Sequence, residues 1–318
     1  MLIDAELHAG RRRAAGAFLS HPALAYSAPM NLLPHLSGAT ALLTHAVDVL
    51  DEFGAVRHIA IPAERALTVF VDKRELVTLM TLGAAPELLV LGYLRNQRLV
   101  ENVGDIESIT VDWDVQAAAV KTRAGIEHFD QKTAKRVVTT GCGQGTMFGD
   151  LMNDLDGLQL PPVDDASARL SQTALYGLLN AMRVQESTYK SAGSVHGCAL
   201  FCQDQLLTFV EDVGRHNAID TIAGWMWMNG VHGGDKIFYT TGRLTSEMVI
   251  KSAQMGVPII VSRSGVTQMG LELARQLKLA LFGRATNRHF ICYAGFERFD
   301  SQPEPAPLVP VTGRRRSA

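Results

Sequence analysis

The sequence has few cysteines, few charged side chains and no long hydrophobic run. Four cysteines in 318 residues are too few for a disulfide scaffold and indicate free thiols in a reducing compartment. No apolar run reaches the roughly 18 residues that a membrane-spanning helix needs. A net charge of −2 gives no overall attraction to nucleic acid or to a membrane surface. The length of 318 residues predicts two domains or subdomains, and the 47% of hydrophobic residues predict a globular chain.

Two familiar motifs are also missing. Zinc-dependent nucleotide deaminases carry H-x-E followed by P-C-x-x-C, but here Cys198 stands two residues after His196 and no P-C-x-x-C follows. We therefore predict no zinc and no deaminase activity. The glycines of TTGCGQG lack the spacing of a dinucleotide-binding fingerprint. The arginines at residues 11–13 precede a short apolar run that is too interrupted for an export signal, so we expect a basic leader.

The stretch KIFYTTGRLTSEMVIK, residues 236–251, predicts a buried strand, a tight turn at Gly242 and Arg243, and a helix. The order repeats in residues 257–277, where a strand leads through Arg263 and Ser264 into a second helix. This β-α-β-α-β order favours a layered α/β domain with at least one parallel strand pair. The two helix N-termini then meet at one sheet edge, which suits phosphate groups. Ordinary turns with surface arginines remain the alternative.

A third junction of the same kind lies in EDVGRHN. Arg215, His216 and Asn217 follow the predicted strand 207–210 and precede a predicted helix over residues 218–228. His196 begins the strand HGCALFC and is expected to face the same place. Three polar turns of one type raise the expectation that all of them line one cleft.

The remaining patterns predict the domain organisation. We expect a helix over residues 41–53, a hairpin at 66–81, a helix from Pro86 to about Gln97, and a helix capped by Asp164 or Asp165. The predicted divisions are a leader with a helix (1–55), an N-terminal mixed α/β subdomain (56–135), a cysteine loop and linker (136–163), a C-terminal α/β domain (164–300) and a disordered basic tail (301–318).

Cys142 stands out among the four cysteines. The strand-like residues 137–140 run into Gly141-Cys142-Gly143, and glycines on both sides leave the thiol open to approach. Such a thiol suits exchange between two macromolecules. The alternative is a surface loop with an incidental cysteine.

The chain resembles the FdhD/NarQ family of formate dehydrogenase accessory sulfurtransferases between about residues 75 and 295. The motifs that carry the resemblance are, in chain order, TTGCGQG, SxGxVHGCAL, DVGRHNAID and TTGRLTSEMVIK. The resemblance implies a cytoplasmic homodimer with a cytidine-deaminase-like three-layer α/β/α domain and a smaller, strand-rich N-terminal subdomain. It implies that Cys142 accepts persulfide sulfur from a cysteine desulfurase. The sulfur then passes to the molybdenum cofactor, bis(molybdopterin guanine dinucleotide), needed by molybdenum-dependent formate dehydrogenase.

The chain departs from the family pattern in the cysteine loop, where Gly145 takes the place of the second cysteine of CGxCG. A cofactor-binding or chaperone module without sulfur transfer therefore stays open beside the sulfurtransferase. The cofactor, which GDP would mimic, is expected to contact the polar turns and the segment that aligns with the family's last arginine motif. These residues are His196, Arg215, His216, Asn217, Gly242, Arg243, Ser264, Arg284, Ala285, Thr286, Asn287, Arg288 and His289.

Overall fold

The computed structural model describes residues 33–126, 129, 137–138, 145–146, 157–158 and 160–302. Cys142, the arginines of the leader and the basic tail lie outside these residues. The described N-terminal part, residues 33–126, is built from seven strands and one α-helix. Their bounds are β1 His35–Leu36, β2 Thr44–Leu50, β3 Val56–Pro62, β4 Arg65–Val71, β5 Arg74–Thr81, α1 Pro86–Asn96, β6 Ile106–Asp112 and β7 Ala117–Thr122.

Five of these strands form one sheet in the order β1-β6-β7-β4-β5. Leu67 and Val69 of β4 face α1 because alternate residues of a strand point to the same side, and they pack with Leu89 and Leu94 of the helix. The predicted hairpin and the helix start at Pro86 are confirmed. The short strand β1 pairs with β6, so residues assigned to the leader contribute to this sheet.

The helix predicted over residues 41–53 is wrong. Thr44–Leu50 is a strand that pairs antiparallel with β3 along its whole length. In THAVDVL, Val47 and Val49 stand on either side of Asp48, and this period of two with β-branched side chains favours a strand.

The rest of the described chain contains ten strands and five helices. Their bounds are β8 Val137–Val138, β9 Gly145–Thr146, β10 Leu170–Ser171, α2 Gln172–Val184, α3 Thr188–Ala192, β11 His196–Cys202, β12 Gln205–Asp212, α4 Arg215–Met228, β13 Lys236–Thr240, α5 Ser246–Gln254, β14 Ile259–Ser262, α6 Gln268–Gln276, β15 Ala280–Thr286, β16 His289–Ala294 and β17 Phe299–Asp300.

The predicted start of the helix after the linker is wrong. Asp165 caps only the short 3-10 turn Ala166–Ala168, and strand β10 follows before the helix begins. The cap of α2 is Ser171, whose Oγ accepts a hydrogen bond from the backbone N–H of Ala174.

Six strands form the larger sheet, in the order β12-β11-β13-β14-β15-β16. The pairs β13–β14 and β14–β15 are parallel, which confirms the predicted parallel pairing. Helices α4, α5 and α6 pack on one face, through residues such as Ile222, Met248 and Leu273. Helix α2 covers the other face through Leu175 and Leu178. The molecule is thus a mixed α/β fold with several sheets.

The two sheets are joined through helices α1 and α4, which touch backbone to backbone. A Cβ added at Gly92 would lie 1.6 Å from the carbonyl oxygen of Asp220, and one added at Gly224 would lie 2.1 Å from that of Leu88. Only glycine permits this approach. Beside the crossing, the buried Lys251 Nζ donates to Asp220, 2.6 Å away.

Candidate functional site

The polar turns meet at one edge of the six-stranded sheet, namely the edge formed by the carboxyl ends of its parallel strands. His196 pairs with Asp212, and Cys198 pairs with Thr240. Thr240 pairs in turn with Ser262 of the next parallel strand. The start of β11 therefore lies beside the carboxyl ends of β12, β13 and β14. In α/β sheets this is the edge where ligands bind.

Gly242 is required by its neighbour on helix α4. A Cβ at this position would lie 2.7 Å from Cδ of Arg215, so any other residue would displace that arginine. The backbone N–H of Gly242 donates to Thr240 Oγ1 at 3.1 Å, which closes the turn. Arg215 lies in the first turn of α4, three residues earlier in the helix than the predicted start at residue 218.

Hydrogen bonds connect the turns to one another. Ser262 Oγ donates to the carbonyl oxygen of Gly242 at 2.6 Å and accepts from the N–H of Ser264 at 2.9 Å. The N–H of Arg284 donates to the carbonyl oxygen of Ser264 at 2.8 Å. Leu244 and Val266 form an isolated parallel bridge. The turns after β13 and β14 and the end of β15 thus form one connected unit.

The histidines at this edge are held neutral. Burial, with the nearby charges of Arg215 and Arg243, lowers the pKa of His196. Burial, followed by the charge of Lys251, lowers the pKa of His216 to about 2. His216 Nε2 lies 3.3 Å from a carboxylate oxygen of Glu247. The imidazole in this contact is therefore uncharged at neutral pH.

Two of the residues predicted to bind a ligand are fully buried in protein contacts. His216 lies under the turn against Glu247. Asn217 donates its side-chain N–H groups to the carbonyl oxygen of Met80 at 2.6 Å and to Asp212 at 2.7 Å. Their contacts hold the first turn of α4 in place, and Arg215 with it.

Asp212 and Glu247 were not among the predicted site residues. Asp212 ends β12 and accepts hydrogen bonds from Thr81 Oγ1 and from the N–H groups of Leu82 and Gly214. Burial raises its pKa, while these hydrogen bonds oppose the rise. The local signal for Asp212 was its position two residues before Gly214, where an Asx turn is common. Its partners on β5 are far away in sequence.

The segment at the end of the sheet divides into two groups. Arg284, Thr286, Asn287, Arg288 and His289 are exposed, whereas Ala285 is buried among the side chains that pack against α2. Arg284 has a φ of +51° at an irregular register between β15 and β16. Such a bulge re-aims the side chain of the residue that carries it.

The described cysteines have poor thiolate character. Burial raises the pKa of Cys198 to about 12 and that of Cys292 to about 11, and it also raises the pKa of Cys202. Cys142 lies outside the described residues, between β8 and β9, which pair antiparallel. Within the described ranges, no three His, Cys, Asp or Glu side chains are grouped as metal ligands would be. The expectation of no zinc stays a prediction.

The sequence model of the FdhD/NarQ family matches this chain over residues 62–300. The chain belongs to this family. A protein of Listeria innocua named sulfur carrier protein FdhD is 29% identical over 75% of this chain and 91% of its own length. The Bacillus subtilis protein of the same name is 30% identical over 74% of this chain and 88% of its own.

The fold is shared with a solved structure. The crystal structure of a formate dehydrogenase accessory protein from Desulfotalea psychrophila aligns with a TM-score of 0.63, over 80% of this chain and 98% of that one, at 23% identity. This family likeness accounts for the mixed α/β fold. None of the helices in the described part of the chain is both long and apolar enough to cross a membrane.

Proposed function

We propose that this FdhD/NarQ protein is a sulfur carrier for formate dehydrogenase, with Cys142 as the carrying residue. The observation that supports this choice is the state of the other thiols. Burial raises the pKa of the other three thiols, so only a small fraction of each is a thiolate at neutral pH. These thiols all lie on strands and belong to Cys198, Cys202 and Cys292. Of the four cysteines, Cys142 alone has glycine on both sides in the sequence, and it falls between the residues of the paired strands β8 and β9.

In the proposed step, a cysteine desulfurase is the donor. The Cys142 thiolate attacks the outer sulfur of the desulfurase persulfide, and a new S–S bond forms on Cys142. The S–S bond of the donor breaks, and the donor cysteine leaves as a thiolate, so no external oxidant or reductant is needed. In the second step the outer sulfur passes to the molybdenum cofactor, which is the cargo of this protein, and Cys142 is released as a thiolate. Reducing this sulfane sulfur to sulfide takes two electrons, and we propose that the cargo metal supplies them.

The sheet edge suits the guanine dinucleotide part of that cargo. Two helices, α5 and α6, begin there, and their first N–H groups favour anions. Arg243 and Arg284 are exposed at the same edge, and Arg215 lies beneath Gly242. These groups match the charge of a diphosphate. Glu247 lies at the same edge, with a side-chain oxygen 3.3 Å from Nε2 of the neutral His216.

The finer features of the family resemblance belong to the same proposal. We assign the six-stranded sheet and its helices to the cytidine-deaminase-like three-layer arrangement, without the zinc. We also assign the protein to the cytoplasm as a homodimer, where a reduced Cys142 meets the desulfurase.

A second function is favoured by one observation, the glycine at position 145. A loop with two cysteines permits a relay between them, and Gly145 removes it. The protein would then bind the cofactor as a chaperone and transfer no sulfur. We favour transfer, because a single activated thiolate is sufficient for persulfide chemistry.

The decisive experiment is mass spectrometry after incubation with a cysteine desulfurase and cysteine. The expected result is one added sulfur on the Cys142 peptide, absent from the Cys142→Ala variant. Cys202→Ala is the matched control and should still gain the sulfur. If the unaltered protein gains none, and if Cys142→Ala restores formate dehydrogenase in a host lacking its own family member, the chaperone function replaces the carrier.

A further inference from the structure

An exposed aromatic ring lies at the same sheet edge. The described part of the chain keeps three aromatic side chains exposed, Phe53, Tyr189 and Phe296. Phe53 is at the tip of the β2–β3 hairpin. Phe296 follows the end of β16, which lies where the parallel strands begin, at the opposite edge from the polar turns. Tyr189, 49% exposed, is the one beside the polar turns.

The position of Tyr189 is set by a carboxylate. Glu211, the residue before the end of β12, accepts hydrogen bonds from the backbone N–H groups of Thr188 and Tyr189, the latter at 3.0 Å. These bonds hold the first turn of the short helix α3 against the sheet edge. A half-exposed ring is therefore carried on a backbone that is fixed at its base.

The ring of Tyr189 is met by an arginine from a distant strand. Arg263 follows β14, its N–H donates to the carbonyl oxygen of Thr240 at 3.0 Å, and its guanidinium carbon lies 6.0 Å from the centre of the Tyr189 ring. In the strand order, β11 and β13 lie between β12 and β14. The contact thus spans the ends of β11 and β13, where His196 and the Gly242 turn are located.

We propose that Tyr189 is the stacking surface for the purine ring of the bound guanine nucleotide, and that Arg263 positions the tyrosine ring. This inference rests on the proposed function, which places a guanine dinucleotide at this edge. Aromatic side chains bind bases through their flat faces, and arginine reinforces such stacks. The helix N-termini and Arg243 then serve the diphosphate, and the tyrosine serves the base.

Two ligands separate the contacts of the base from those of the diphosphate. GDP carries both groups, whereas inorganic diphosphate carries only the second. By titration calorimetry of the full chain, Tyr189→Ala should bind GDP about tenfold more weakly, as expected for loss of one stacked base. Its affinity for inorganic diphosphate should not change. Tyr189→Phe, which keeps the ring, should bind GDP within about twofold of the unaltered protein.

The matched control is Phe296→Ala, which removes an exposed aromatic ring at the opposite edge and should leave GDP binding unchanged. A Tyr189→Trp variant gives a second measurement, since GDP should quench the fluorescence of the added indole. Equal losses for GDP and diphosphate in Tyr189→Ala, or no loss for either, would overturn the stacking proposal. If the unaltered protein binds diphosphate but no GDP, or neither, the nucleotide part of the proposed function fails as well.

Discussion

The two edges of the six-stranded sheet both carry arginines, but in different surroundings. At the opposite edge from the polar turns, Arg298 is 1% exposed, and its guanidinium donates to the carbonyl oxygens of Lys278, Pro161, Pro162 and Ala168. At the edge with the turns, Arg243, Arg263 and Arg284 are exposed. Arginines of the first kind hold the chain together, and those of the second kind are available to a ligand.

The largest effect on stability is expected from replacing the buried Arg298. Arg298→Met would leave several buried carbonyl oxygens without their donor, and we expect it to lower the free energy of unfolding by about 3 kcal/mol. Urea denaturation measures this change. GDP affinity, measured on the folded fraction, should stay the same. A loss of GDP affinity without a loss of stability would remove the distinction between the two edges.

The next largest effect is the pH dependence of the unfolding free energy that His216 causes at the edge with the polar turns. The pKa of His216 is about 2 in the folded protein and near 6.5 in an unfolded chain, so only the unfolded state takes up the proton between these values. Stability attributable to His216 is therefore complete above about pH 6.5 and is lost as pH falls. Between pH 7 and pH 5 the loss should be about 2 kcal/mol.

The His216→Gln variant tests this assignment. Its unfolding free energy should fall between pH 7 and pH 5 by about 2 kcal/mol less than that of the unaltered protein. His232→Gln changes an exposed histidine and is the control. Some pH dependence should persist, because the pKa of His196 is also lowered. Identical pH profiles for His216→Gln and the unaltered protein would show that His216 is not held neutral by burial.

A smaller effect, on binding alone, is expected for Arg243. Arg243→Ala should weaken GDP binding about tenfold, since it removes one charge-assisted contact, and should leave stability unchanged because the side chain is exposed. The control is Arg275→Ala, which removes an exposed arginine from the last turn of α6 at the opposite edge. Calorimetry that finds both variants equally weakened would point to general charge attraction instead of a site.

The smallest effect is a structural one at the ligand edge. Thr267 Oγ1 accepts a hydrogen bond from the N–H of Gly270 at 3.2 Å and so caps α6. Thr267→Ala should lower the unfolding free energy by about 1 kcal/mol, the usual value for a lost N-cap. Thermal unfolding would detect it. GDP binding that changes more than stability would place Thr267 itself in the site.

Local sequence patterns predicted the strands and turns of the large sheet. They failed where contacts with residues distant in sequence determine the structure. Repeated strand-turn-helix signals predicted the parallel strands and the turn at Gly242, because those elements depend on nearby residues. Residues 41–53 are predicted as a helix, but β2 forms within them because pairing with β3 selects the strand. The start of α2 was misplaced because Asp165 and Ser171 are equally good caps by residue type.

The candidate site shows the same limit. His196, Arg215, Gly242, Arg243 and Ser264 were all indicated by motifs, and the strand register brings them to one edge. The roles of neighbouring residues were not readable. Asn217 and Asp212 contact β5, some 130 residues away in sequence, and Ala285 faces the core because a bulge changes the alternation of β15. Such facts follow from tertiary contacts that no local pattern contains.

The glycine crossing of α1 and α4 has a consequence for how the molecule melts. Helix α4 packs on the large sheet through Ile222 and touches the backbone of α1 at Gly92 and Gly224, so neither sheet keeps its covering helix if the other comes apart. Side-chain contacts such as that of Asn96 with Asp220 add to this backbone contact. The two sheets should therefore unfold in a single cooperative calorimetric transition, and ligand binding at the polar edge should raise the melting temperature of both together.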